Sequence, residues 1–213
     1  MGIDTATGRA GTSRGFLNRI KDWIRTEFSA WRTVDIVVAA VLGAAVGVVF
    51  WLWGMVWTIT GPLFVLFPPA QAILYGVWLL PGVLGGLIIR RSGAAVLTSI
   101  TAASVSALLG SQWGVTVVLE GAMQGLLPEL VFLLFLYRRW GMGVAALAGA
   151  LAGVSPAIRD AVVYYATWPL SHQLVYGGLV LVSGALIAGV GGRLLTTALA
   201  RSGALAPFPS AKG

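Results

Sequence analysis

Basic residues divide this chain into apolar runs, and they cluster at alternate breaks. Every Lys and Arg except Arg159 falls in the N-terminal arm, at Arg90 and Arg91, at Arg138 and Arg139, or between Arg193 and Lys212. Between them lie apolar runs at about residues 34–53, 71–89, 94–109, 113–137, 142–168 and 175–192. A helix needs about 20 apolar residues to cross a bilayer, and cytoplasmic loops collect the positive charge. The pattern predicts an all-α integral membrane protein with six transmembrane helices in the cell membrane. Both termini and both arginine pairs are expected on the cytoplasmic side. Composition agrees: 58% of the residues are hydrophobic and 10% charged, whereas soluble domains carry roughly a quarter charged residues. The net charge of +7 is accounted for by this topology, without invoking nucleic acid.

Ahead of the first run, residues 1–13 are small and polar and read as unstructured. From residue 14 to 32, Phe16, Ile20, Trp23, Ile24, Phe28 and Trp31 recur at helical spacing, with Arg14, Arg19, Lys21 and Arg25 largely between them. This predicts an amphipathic helix lying on the membrane surface. The expected organisation is a cytoplasmic arm over 1–32, a six-helix substrate-binding domain over 33–200 and a loose cytoplasmic tail over 201–213. Residues 54–70 are apolar but broken by Gly61, Pro62, Pro68 and Pro69. They read as a re-entrant or capping segment on the outer side.

Two features inside the runs bear on function. The first run carries Ala39, Gly43 and Gly47 and, beside them, Ala40 and Ala44, in rows at four-residue spacing. Such rows allow close helix approach, either within the bundle or against a partner subunit. The fourth run carries Glu120, Gln124 and Glu129. Acids at membrane depth are costly and face a cavity or a partner. Glu120 and Gln124, four apart, share a helix face. Glu129 lies deeper, beside Pro128, with a structural pairing and a functional role both open. Arg159, Asp160 and Tyr164 in the fifth run, with Gln112 and Trp113 at the mouth, complete a polar and aromatic group in the outer half. Arg159 is read as an ion-pair partner of Glu120 or Asp160, because an unpaired buried charge is costly. The single histidine, His172, sits on an outer loop as a candidate ligand contact. Such a group suits a flat cationic or aminopyrimidine solute.

Other chemistry finds little support. There is no cysteine and no GxxxxGK[ST], HExxH or GxSxG with a plausible triad. No cofactor, metal site or covalent catalysis is expected, and the chain cannot power transport with ATP by itself. Two readings remain: the binding subunit of a multi-subunit importer, or a stand-alone proton-coupled carrier with Glu120 or Glu129 as the protonation site.

Three stretches carry a family resemblance: WRTVDIVVAAVLGAAVGVVFW from residue 31, YGVWLLPGVLGGLIIRR from residue 75, and GSQWG with LEGAMQGLLPEL across residues 110–130. They resemble the YkoE family, substrate-binding S components of energy-coupling-factor (ECF) transporters for thiamine or its hydroxymethylpyrimidine precursor. The resemblance implies a six-helix protein with an outward-facing vitamin pocket. It also implies docking to a transmembrane coupling subunit and ATPase subunits through small residues of the first helix. Ala40 and Ala44, with Gly43 and Gly47, are the candidates here, and residues 54–70 would act as a lid. Glu120, Gln124, Trp113, Gln112, Arg159, Asp160, Tyr164 and His172 rest on the reading of the residues themselves.

Overall fold

The computed structural model describes residues 31–212. The surface helix expected over 14–32 therefore lies, except for its last two residues, outside the described part, as does 1–13. Among the described residues all regular structure is helical. The six crossings are α1 (Thr33–Thr60); a 3-10 stretch, Pro68–Leu79, running into α2 (Leu80–Ile89); α3 (Ala94–Leu108); α4 (Thr116–Leu134); α5 (Met142–Ala152) continued by α6 (Val154–Val163); and α7 (Leu170–Ser183), which passes through a π-helical stretch, Gly184–Gly191, into α8 (Gly192–Arg201). Five crossings are long and apolar enough to span a bilayer; α3, with 15 residues, is shorter and packs between α1 and α4.

The ends of these helices follow from local chemistry. α1 starts where Asp35 reaches back: its Oδ2 accepts from the Arg32 backbone N–H at 2.9 Å, and its Oδ1 pairs with the Arg32 guanidinium at 2.8 Å. This supplies the acceptor that an N-terminal turn needs. α2 stops at Arg90, which adopts a left-handed conformation (φ 54°), and α3 follows Gly93 at φ 87°. Gly93 has no side chain to cap α3, and the cap comes from another helix. Glu129 of α4 accepts from the Gly93 N–H at 2.8 Å and the Ala95 N–H at 2.9 Å, and also from the Tyr137 hydroxyl.

This settles the geometry around Glu129, whose carboxylate is spent on holding α3 to α4. In Glu129→Gln, an amide NH2 would oppose one of these N–H donors, a buried mismatch worth about 1–3 kcal/mol. The expected outcome is a melting temperature lowered by several degrees with ligand affinity unchanged. Melting and calorimetry on the same purified variant check it.

Three expectations need correction. Residues 54–70 are not one capping segment. α1 continues unbroken to Thr60, and Pro62 ends it by starting a short 3-10 turn, Gly61–Phe64. Pro68 and Pro69 then open the second crossing three residues before its expected start. The tail is not loose: Leu205 and Phe208 are buried against Ala39, Ile88, Ile89 and Ala94, and the Ser210 hydroxyl donates to the Ile88 carbonyl at 2.8 Å. Its apolar residues cover the ends of α1, α2 and α3. Finally, Gly43 and Gly47 face inward and are unavailable for docking. A Cβ on Gly43 would lie 2.6 Å from Thr101, and one on Gly47 would lie 2.6 Å from the Ala102 carbonyl of α3. The row that includes Ala39 is therefore used for packing inside the bundle. Ala40 is exposed and Ala44 half-buried on the neighbouring face.

Candidate substrate-binding site

A cavity of about 300 Å³ opens in the half of the bundle away from the arginine pairs. Each crossing contributes to it near the same end: Phe50 and Trp57 from late α1, Tyr75 and Trp78 from the 3-10 stretch, Ala103 from late α3. Glu120 and Gln124 come from early α4, Arg159 and Asp160 from α6, and Tyr176 from early α7. Trp113 enters from the α3–α4 loop.

One wall is aromatic. Trp78 stands edge-on to Trp113 (5.1 Å, 86°) and to Tyr75 (5.2 Å, 68°), and Trp57 packs against it at 5.2 Å. Tyr75 and Trp78 are three residues apart, and in a 3-10 helix residues i and i+3 eclipse. The local helix type therefore puts both rings on one face. Elsewhere in the lining Tyr165 stacks on Trp168 at 3.9 Å and meets Tyr176 at 4.8 Å.

The adjoining wall is charged. Arg159 pairs with Asp160 at 2.6 Å and with Glu120 at 3.4 Å, and donates to the Tyr75 hydroxyl at 3.2 Å. Both oxygens of Asp160 are engaged, since the second accepts from the Tyr176 hydroxyl at 2.6 Å. Glu120 is different. Its Oε2 has only a long contact from Ser155, 3.5 Å, which leaves accepting capacity toward the cavity. The Gln124 amide, one turn deeper, has no hydrogen bond among the described residues, so its donor and acceptor also face the space. Two carboxylates against one guanidinium leave the site one net negative charge. The arrangement can hold a flat ring against aromatic faces while a carboxylate and an amide read its edge. Among the described residues no three His, Cys, Asp or Glu side chains gather as metal ligands.

Comparison with known proteins adds to this geometry. Residues 34–155, more than half of the chain, match the family described as the ABC-type cobalt transport system, permease component. Over 177 residues the chain is 33% identical to YkoE of Bacillus subtilis (strain 168), a protein named as a candidate HMP/thiamine permease; the match covers 83% of this chain and 88% of that one. The chain belongs to the YkoE family. A crystal structure of an S component of an ECF transporter superposes with a TM-score of 0.81 at 33% identity, covering 86% of this chain and 92% of that one. The six-helix S-component fold is thus common to both.

Of the residues singled out from this YkoE-family sequence, Glu120, Gln124, Trp113, Arg159, Asp160 and Tyr164 line the cavity. Gln112 and His172 do not. Gln112 accepts from the Thr58 hydroxyl at 2.9 Å in a neighbouring vestibule. His172 sits between Phe67 (5.7 Å) and Trp168 (6.3 Å), outside the cavity. Sequence reasoning missed Trp57, Tyr75, Trp78, Tyr165 and Tyr176. The three-residue step from Tyr75 to Trp78, just after a Pro-Pro start, is the signal that could have found two of them.

Proposed function

We propose that this cavity takes thiamine or its hydroxymethylpyrimidine precursor from the outer side of the cell membrane. The chain then hands it over together with a transmembrane coupling subunit and ATPase subunits, without covalent chemistry of its own. The observation that carries this reading is the Glu120–Gln124 pair in an aromatic cavity. A carboxylate accepts from an exocyclic amino group, and an amide one turn away pairs with a ring nitrogen. A thiazolium cation complements the net negative charge and the aromatic faces. The names of the relatives point the same way. Glu129 is occupied as a helix cap and Glu120 is held by Arg159, so neither acid favours a proton-driven carrier. Calorimetry of the purified chain should show saturable binding of thiamine or the pyrimidine and none of riboflavin. Uptake should require coexpressed coupling and ATPase subunits; uptake by this chain alone would refute the subunit reading.

The orientation follows from charge placement. The basic end of the bundle faces the cytoplasm, and residues 33–200 form the binding domain. Single cysteines at Gln112 or His172 should react with an impermeant thiol reagent added outside, while those at Arg91 or Arg139 stay protected. The reverse pattern would invert the topology.

For docking, the exposed face of α1 around Ala40 and Ala44 is the surface proposed for the coupling subunit. Ala40→Leu adds bulk where a helix must approach closely. Binding to the isolated protein should persist, and copurification with the coupling subunit and transport should be lost. Loss of ligand binding instead would place Ala40 in the bundle's own packing.

A further inference from the structure

At the end of the bundle opposite the cavity, three separate segments meet. Arg32 caps α1, Arg91 sits in the α2–α3 turn, and the tail crosses beside them. Together Arg32, Arg91, Ala206, Pro207, Phe208 and Pro209 enclose a cleft of about 370 Å³. The nearby residues share one carboxylate between two cations. Asp35 is fully buried, and Arg32 grips it at 2.8 Å, whereas Arg91 Nε stands 3.9 Å from it. That Nε is itself buried and, among the described residues, has no hydrogen-bond acceptor. Nε faces the Asp35 side, so the terminal nitrogens of Arg91, which make no hydrogen bond among the described residues, are the atoms left for the cleft, and a planar guanidinium is suited to a tetrahedral oxyanion.

The surroundings fit an anion with an apolar attachment. The cluster carries one excess positive charge, and the α1 N-terminus adds the positive end of its dipole. The carbonyls of the tail are engaged: Pro207 accepts from Arg32 at 3.2 Å and Pro209 from Arg90 at 3.4 Å. The rest of the wall is two prolines, an alanine and Phe208, over whose ring the Arg32 guanidinium lies at 5.9 Å. The cleft is level with the start of α1 and the end of α2, at the basic end of the bundle.

We propose that this cleft is a phosphate site, with Arg91 and Arg32 as ligands, which takes the headgroup phosphate of an anionic phospholipid. Basic pockets at cytoplasmic helix ends bind such headgroups. A soluble phosphate offers the same oxygens, so the test separates the two sources.

The full-length chain in neutral detergent is examined by native mass spectrometry with short-chain phosphatidylglycerol, short-chain phosphatidylcholine or inorganic phosphate. One phosphatidylglycerol per chain should be retained selectively over phosphatidylcholine. Arg91→Gln should weaken that retention about fivefold, the share of one surface arginine. Arg139→Gln, which removes the same charge from the α4–α5 turn, should leave it unchanged. Retention of inorganic phosphate at similar concentration, with the same dependence on Arg91, would keep the site and assign it to a soluble anion. Equal retention of phosphatidylcholine, no retention of either anion by the unaltered chain, or equal losses in the two variants would overturn it. The count on the unaltered chain decides even if Arg91→Gln folds poorly. Thiamine calorimetry on the same samples reports the outer cavity separately.

Discussion

Glu120→Gln should lower the affinity for thiamine by about 30-fold to several-thousand-fold, the equivalent of about 2–5 kcal/mol for truncating one member of a desolvated, hydrogen-bonded charge pair. The amide keeps the shape of the side chain but carries no charge, and its NH2 opposes the amino group that the carboxylate would accept from. Only one oxygen of Glu120 is near Arg159, at 3.4 Å, and the other has little beyond a 3.5 Å contact from Ser155. The loss should therefore appear mainly in ligand binding. Calorimetry of the monodisperse variant measures it, with Glu129→Gln as the internal control. If Glu129→Gln abolished binding and Glu120→Gln did not, the ligand would have to sit nearer Pro128, and the cavity described above would not be the site.

Arg159→Leu should be the most damaging single change to the fold, at about 3–5 kcal/mol, because it leaves buried carboxylates without their counter-charge. Arg159 pairs with both Glu120 and Asp160, and its guanidinium also lies over the Tyr164 ring at 5.4 Å. Asp160 would keep the Tyr176 hydroxyl but face Glu120 with no cation between them. The melting temperature should fall sharply, and adding Glu120→Gln to Arg159→Leu should restore part of the loss, since one of the two facing charges is removed. Strict additivity of the two changes would show that the charges do not interact.

The sequence made the crossings legible because length, hydropathy and arginine placement are properties of whole segments. The break in the fifth crossing has a mark in the sequence as well: Ser155 and Pro156 lie within three residues of the change from α5 to α6 at Gly153. The charged wall could be read because an acid, an amide or an arginine inside an apolar run is conspicuous. The aromatic wall could not: Trp57 or Tyr176 in a hydrophobic helix looks the same whether it faces lipid, core or cavity. Gly43 and Gly47 show the converse difficulty. Small residues announce close approach but not the identity of what approaches, and here it is α3 of the same chain. The tail escaped because Leu205 and Phe208 are too few to form a periodic pattern. Their burial depends on surfaces supplied by α1, α2 and α3.

The 3-10 stretch of the second crossing has a mechanical consequence. Three residues turn through about 360° in a 3-10 helix but only about 300° in an α-helix. Rewinding Pro68–Leu79 as α-helix would swing Trp78 by about 60° relative to Tyr75. It would also shorten the twelve residues by about 6 Å. Both rings belong to the cavity wall, so the alignment of that wall is tied to backbone pitch. The bonds of Ser183, which accepts from the Gly76 N–H and donates to the Ile73 carbonyl, act as a clasp on the tighter coil. Ser183→Ala would release that clasp without touching a single residue that lines the cavity.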